Sequence, residues 1–439
     1  MKTNLTCYGG VGTVTGANFL LEVEGDGKLL KVLIDCGLFQ GLIAESEVSK
    51  TFDYDTTTID FLFITHAHID HIGRIPDLVK AGFNGKILST RETKDIARFM
   101  LKDLSHIAGE GDDAAEKALS MWDTLPYHTA KKFDLGGVEA FSLELFDAGH
   151  ILGSAMYKLT FPSGKSILFS GDIGNSPSPL QSDVERVSDT TYILMDSVYG
   201  DRNHQSNDER DKRFAEIIED VIERKSTLLI PVFSLERTQV MLHELDKLFT
   251  SKGLRSIPVF LDSPLAINIT EIYRNHFNTP DKDLYFNKLQ ETAQVRDSIS
   301  ISHIPGPKII MAGSGMSTAG RIVHHEEHYL PDQNATLLFV GYQAAGTLGR
   351  LIQDGAKEVK INDKLIKVNA RVLSIDGFSA HADSDQLVKF VEASEKSVQK
   401  VFITMGELKS SIFLAQRLKD ELGVESVIPE KGKRYELDL

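Results

Sequence analysis

The chain has 439 residues, is 41% hydrophobic, and contains no run approaching the ~20 apolar residues that span a bilayer. Its 63 acidic and 48 basic side chains give a formal charge of -15. That balance argues against a general nucleic-acid coat or a membrane-surface protein, though an acidic enzyme with bound metal and a local basic cleft can still hold phosphate. Cys7 and Cys36 are too few for a disulfide framework, and Met1 to Gly10 lacks a long apolar targeting core; both point to the cytoplasm. A chain of this length is expected to divide into two or three domains.

The first part reads as strand-rich. Strands are predicted at Phe19 to Val23, Leu29 to Ile34, Phe61 to Ile64, Ile87 to Leu88, Val138 to Phe146, Ala155 to Phe161 and Ser166 to Phe169. Turns such as Gly25-Asp26-Gly27 and Pro162-Ser163-Gly164 separate several of them. Helices are predicted after Gly73 and from Glu92 to about His106, and Gly109 to Lys117 reads as a polar, solvent-facing insertion.

From about Gln205 the rhythm changes. Helices at Glu209 to Arg224, Leu235 to Leu248, Ala266 to Arg274 and Thr318 to His328 alternate with short strands. Those strands are Leu228 to Ile230, Val259 to Leu261, Ile309 to Met311 and Leu337 to Val340. Such alternation predicts a parallel sheet. Beyond Asp376 strand and helix continue, with Val401 to Thr404 the clearest strand. No repeat or low-complexity linker intervenes, which suggests one domain inserted within another.

The densest chemistry lies in Thr65-His66-Ala67-His68-Ile69-Asp70-His71. His66 and His68 emerge from the end of a buried strand with side chains on one side, while Asp70 and His71 fall in the following turn. Imidazole and carboxylate without thiolate suit a hydrolytic zinc better than a closed structural site. Further ligand types share the same placement after apolar strands: His150 in Asp147-Ala148-Gly149-His150, Asp172 in Ser170-Gly171-Asp172, Asp196 after Ile193 to Met195, and His381 after Val372 to Ile375.

Together these runs resemble the metallo-β-lactamase fold, through Thr65 to Gly73, His150 and Asp172, with Asp35 in Ile34-Asp35-Cys36-Gly37 at the early family aspartate that supports the metal loop. The remainder resembles the β-CASP branch, whose members process nucleic acids and include the cleavage and polyadenylation endonuclease. Asp196-Ser197-Val198-Tyr199-Gly200 and Phe378-Ser379-Ala380-His381-Ala382-Asp383 match its acidic and histidine motifs. Asp262-Ser263-Pro264-Leu265-Ala266, Ser314-Gly315-Met316 with Gly320-Arg321, and Gly341-Tyr342-Gln343 through Gly349-Arg350 extend the match.

The resemblance implies a ligand set. His66, His68 and His150 would hold a first zinc, Asp70 and His71 would face a second, and Asp172 would bridge the two. The last family ligand, a histidine before Gly-Glu, is replaced here by Met405 in Thr404-Met405-Gly406-Glu407. A thioether is a soft, weak substitute for imidazole on zinc. One ion is therefore expected to bind tightly and the second weakly, with Mn2+ an alternative ion and reduced activity a consequence of the weak site. His381 is the candidate acid, oriented by Asp196, and Asp70 and Asp172 complete the catalytic set. Ser314, Arg321, Thr347 and Arg350 are candidate phosphate contacts. His204, His324, His325 and His328 read as surface or helix histidines. Glu236, in Pro231-Val232-Phe233-Ser234-Leu235-Glu236-Arg237, stands where many relatives have a small residue.

The resulting expectation is an α/β protein. A four-layer αβ/βα metallo-β-lactamase domain would comprise residues 1–200 and 370–439, with an inserted α/β β-CASP domain over 201–369 and the metals in the cleft between them. Its expected activity is metal-dependent hydrolysis of RNA phosphodiesters. RNA is the expected partner, single-stranded DNA an alternative, and a homodimer or a processing-complex subunit the expected setting; no membrane is involved. Met405 alone leans toward DNA, because DNA-processing members of the branch tend to carry an apolar residue there, but three longer runs lean toward RNA. A DNA nuclease and a catalytically weakened RNA-binding or scaffold protein are the alternatives.

Overall fold

A computed structural model describes residues 1–40, 51–109, 111–277 and 289–439. The chain forms two compact units, residues 1–203 with 380–439, and residues 204–379.

The first unit contains two seven-stranded sheets. One begins as an antiparallel meander, Lys2–Cys7, Phe19–Gly25 and Lys28–Ile34, and continues in parallel through Phe61–Phe63, Lys86–Ser89 and Trp122–Thr124. The turn at Asp26-Gly27 has positive φ at both residues, 51° and 72°, the conformation that matches the twist of a two-residue hairpin. The second sheet runs from Lys131–Leu135 through Val138–Asp147, Ala155–Thr160, Ser166–Phe169, Tyr192–Met195 and Lys400–Ile403 to Ser426–Val427.

Alternate side chains of both sheets, among them Leu21, Val32, Phe63, Phe141, Tyr157, Phe169 and Phe402, meet in one core. The other face of the second sheet packs Ile193, Met195 and Ile403 against Leu387 and Val391 of helix Ser384–Glu392 and Leu414 and Leu418 of helix Leu408–Leu422. Burying both faces is what makes these strands nearly continuous in hydrophobicity. This is the four-layer αβ/βα arrangement. The expected insertion after Gly109 is a loop only in part: Asp113–Ser120 is a helix that buries Ala115, Ala118 and Leu119, while Glu110 lies outside the described residues.

The second unit holds a six-stranded parallel sheet in the order Leu289–Glu291, Val259–Asp262, Lys308–Ala312, Thr227–Pro231, Thr336–Phe339 and Arg371–Ser374. The last strand pairs with Thr336–Phe339, so this sheet takes up residues just beyond position 369. Among the described residues no helix is long and apolar enough to cross a membrane.

One residue of this unit is strained. Glu236 has φ 66° and ψ -59°, and the Arg237 amide donates to Leu235 O at 2.9 Å across it. That is the rare form of γ-turn, which disfavours any residue with a Cβ. The side chain is also buried, and burial lifts its carboxyl to about 7 against the opposing pull of Arg237. Glu236→Gly is therefore expected to stabilise the protein. Because the folded pKa lies above the ordinary value near 4.5, Glu236 is least unfavourable below that pH and becomes more so as pH rises through about 7. The gain should be about 1 kcal/mol at pH 5 from backbone strain, less the added chain entropy, and about 3 kcal/mol greater at pH 8. Denaturant titrations of both proteins at the two pH values measure it; equal gains would show that the carboxyl is not held neutral.

Candidate metal centre

The strand Phe61–Phe63 delivers the ligand run. Ile64 N donates to Leu88 O, which keeps the chain in register one residue further, and the backbone then turns into the short helix Ile69–Ile72. Asp35 fixes that turn. Its carboxylate accepts Thr65 N (2.8 Å) and Thr65 Oγ1 (2.8 Å) and sits 2.8 Å from His71 Nδ1. With Nδ1 held by Asp35, His71 Nε2 faces Asp172 and is the nitrogen left for a cation. His150 is held in the same way, its Nδ1 3.2 Å from Ala380 O.

The donor atoms of His66, His68, His150 and Asp172 all lie within 4.8 Å of one another. His68 Nδ1 is 3.1 Å from His66 Nε2 and 3.2 Å from His150 Nε2, and Asp172 Oδ2 is 3.5 Å from each of those Nε2 atoms. On the other side, Asp172 Oδ1 lies 3.3 Å from His71 Nε2, which lies 4.0 Å from Asp70 Oδ2. Asp172 Oδ1 and His71 Nε2 are buried, and neither has a hydrogen-bond partner. Nitrogen and oxygen donors converging in a dry site are what a cation satisfies, so these residues fit a zinc-type ion.

The charges agree with this arrangement. Burial, with the neighbouring imidazoles, holds His66 and His150 well below the ordinary histidine range. Burial opposes charge on both Asp172 and His71, but their mutual attraction, with Asp35 beside His71, outweighs it, holding the carboxyl ionised and His71 well above the ordinary histidine range; a cation at Nε2 would displace that proton.

Asp196 and His381 adjoin the cluster. His381 Nδ1 is 3.8 Å from Asp172 Oδ2, its ring lies 4.6 Å from that of His150, and a backbone bridge to Gly174 anchors it. Asp196 holds a backbone amide beside the cluster. Its Oδ1 accepts Ile173 N at 3.0 Å, and its buried Oδ2 has no hydrogen-bond partner. It therefore braces the loop that carries Asp172. Met405 belongs to the core: it is buried, and a Cβ built on Gly10 would come within 2.5 Å of its sulfur.

The candidate phosphate contacts lie in the second unit and are already engaged. Arg321 Nη1 donates to Asp262 Oδ1 and Thr292 O, and Nη2 to Ala293 O, each at 2.6 Å. That makes it a structural brace. Thr347 Oγ1 caps helix Leu348–Gln353, Ser314 Oγ accepts Thr318 N and Ala319 N, and Arg350 Nε lies 2.9 Å from both carboxylate oxygens of Asp354. His325, read from sequence as a surface or helix histidine, is buried with Nε2 2.7 Å from Asp262 Oδ2. The run Asp262-Ser263-Pro264 was visible in the sequence, but its partners Ser298 and His325 lie 36 and 63 residues away.

Residues 15–216 match the metallo-β-lactamase superfamily, 238–352 the β-CASP domain, and 365–429 the Zn-dependent metallo-hydrolase RNA specificity domain. A protein named a ribonuclease from Thermus thermophilus is 32% identical over 406 residues, covering 89% of this chain and 91% of that one. The chain belongs to the β-CASP branch of the metallo-β-lactamase superfamily. The chain is also similar to a transcription termination factor of Methanocaldococcus jannaschii (29% identical; 91% of this chain, 67% of that one) and an RNase J-like protein of the same organism (28%; 93% and 95%). A crystal structure of a protein of unknown function from Enterococcus faecalis shares the fold at TM-score 0.59 and 12% identity, over the full length of both chains.

Proposed function

We propose that this β-CASP protein hydrolyses RNA phosphodiester bonds. The observation that carries the reading is the convergence of His66, His68, His150 and Asp172 on one point, with Asp172 reaching His71 through its other oxygen. The match of residues 365–429 to an RNA specificity domain and the names of the relatives support RNA over DNA.

His66, His68 and His150 with Asp172 would hold the first ion; Asp70, His71 and the shared Asp172 would hold a second, more weakly. Bound zinc or manganese supplies Lewis acidity and makes water nucleophilic near neutral pH. Asp35 and Ala380 O fix the tautomers of His71 and His150, so their Nε2 atoms face the site. His381, a quarter exposed and beside Asp172, can hold a proton for the leaving oxygen. Asp196 keeps the Asp172 loop in place. Met405 leaves the second position one ligand short, which attenuates turnover.

The test is cleavage of RNA and DNA of matched sequence, by protein stripped with chelator and reloaded with zinc or manganese. Metal-restored cleavage of RNA, faster than of DNA, is expected. Faster cleavage of DNA would reassign the substrate, and metal-independent RNA binding without turnover on either would leave a scaffold role. Elemental analysis after mild dialysis should give a zinc ratio nearer one than two per chain; two tightly retained ions would overturn the weak second site.

A further inference from the structure

We propose that Phe233 and Tyr342 form a platform on which bases of the substrate stack, an assignment that rests on the RNA phosphodiesterase reading and adds residues that grip bases. The argument begins with the topology of the second unit. Strands Thr227–Pro231 and Lys308–Ala312 are adjacent and parallel. The first leads through helix Arg237–Thr250 to Val259–Asp262, on the far side of its neighbour. The second leads through helix Arg321–Tyr329 to Thr336–Phe339, on the opposite side. Connections that leave two neighbouring strands in opposite directions open a crevice beyond their carboxyl ends, where parallel sheets bind ligands.

Both aromatic residues stand at that end of the sheet. Phe233 is two residues past Pro231, and Tyr342 three past Phe339. They are 40% and 53% exposed. A lone exposed ring is ordinary. The Phe233 ring and the segment that carries Tyr342 both meet Gly315. The Phe233 ring lies on Gly315, where a Cβ would come within 2.8 Å of it, so only glycine admits the ring in this position. Gln343, buried beside Tyr342, donates to the carbonyl of the same Gly315 at 2.9 Å and to Gly341 O at 3.2 Å. Thr238 Oγ1 donates to Phe233 O at 2.7 Å, and Gln239 Nε2 to Ser234 O at 3.1 Å, pinning the other loop.

Open aromatic faces on a fixed backbone lose little entropy when a base covers them, and every base offers a π-face. On a chain with net charge -15, stacking also supplies affinity that phosphate neutralisation alone cannot. Arg321, Thr347 and Ser314 are already bound within the protein, which makes the neighbouring rings the more available contacts.

The experiment uses the full chain, stripped of metal to stop turnover, and fluorescein-labelled RNA 12-mers read by anisotropy. A second 12-mer carries a run of abasic sites on the same sugar-phosphate backbone. The parent should bind the abasic strand more weakly than the complete one by at least the about 5- to 100-fold that loss of one stacked base gives, since both rings lose their bases. Phe233→Ala and Tyr342→Ala should each weaken the complete strand within that range and barely change binding of the abasic one; Phe233→Trp and Tyr342→Phe should restore it. Equal parent affinity for the two strands overturns the proposal whether or not the alanine variants fold. So does an alanine variant that binds the complete strand as the parent does. The phosphodiesterase reading is scored separately, by turnover of bis(p-nitrophenyl) phosphate by metal-loaded parent: absence of turnover with base-dependent binding removes only that reading.

Discussion

Asp172→Ala is expected to empty the metal centre and abolish turnover. A single carboxylate serves both sides of the site: Oδ2 lies 3.5 Å from His66 Nε2 and His150 Nε2, and Oδ1 3.3 Å from His71 Nε2. Without it, the three imidazoles of the first group lose their anionic partner, and a dication must be held by neutral nitrogens alone. Changes confined to groups behind the ligands already reduce affinity or activity about 10- to 100-fold. Loss of a directly bound carboxylate should exceed that, so turnover should fall by more than about 100-fold and zinc should be lost on mild dialysis. Elemental analysis paired with the diester assay reads both. Unfolding of the metal-free variant should stay cooperative, because Asp35, not Asp172, anchors His71 and Thr65. A variant that keeps one zinc per chain would show that the ion is held elsewhere.

How much of this could be read from the chain depended on sequence distance. The run Thr65 to His71 is contiguous and follows an apolar strand, so its candidate ligands were visible at once. His150 and Asp172 also follow strands and carried the same signal. Where function depends on a partner far along the chain, the signal disappears. Nothing near Arg321 shows that Asp262, 59 residues earlier, takes its guanidinium, and the helix of His325 gives no hint that the ring is buried against the same carboxylate. The amide that Asp196 accepts was hidden for a similar reason, since a motif names a residue type and not its partner. The strain at Glu236 was hidden because a γ-turn at positive φ is invisible to periodicity; only the backbone reveals why a small residue suits that place. The parallel sheet of the second unit was legible from alternation, whereas the pairing of Arg371–Ser374 with Thr336–Phe339 required the fold.

Met405→His is expected to raise both metal content and turnover. The backbone at 405 is set independently of its side chain: Met405 N donates to Gly10 O at 2.7 Å, and Ser197 N donates to Met405 O at 3.3 Å. That geometry gives position 405 a φ of 45°, in the left-handed region, where histidine is several-fold enriched over most residues with a side chain. An imidazole therefore fits the backbone at least as well as the thioether. What is lost is packing, because the sulfur lies against Gly10 beside Phe19 in the core; the metal-free variant should be less stable by about 1 kcal/mol. What is gained is a fourth ligand for the proposed second site of Asp70, His71 and Asp172. Zinc per chain should rise from near one toward two, and RNA cleavage should increase by about tenfold or more, in line with the scale on which ligand-shell changes act. Adding His68→Ala should remove activity in either background. Two ions bound without any gain on RNA, DNA or a simple diester would separate occupancy from catalysis, and the weakened-scaffold reading would then account better for a chain that carries methionine at this position.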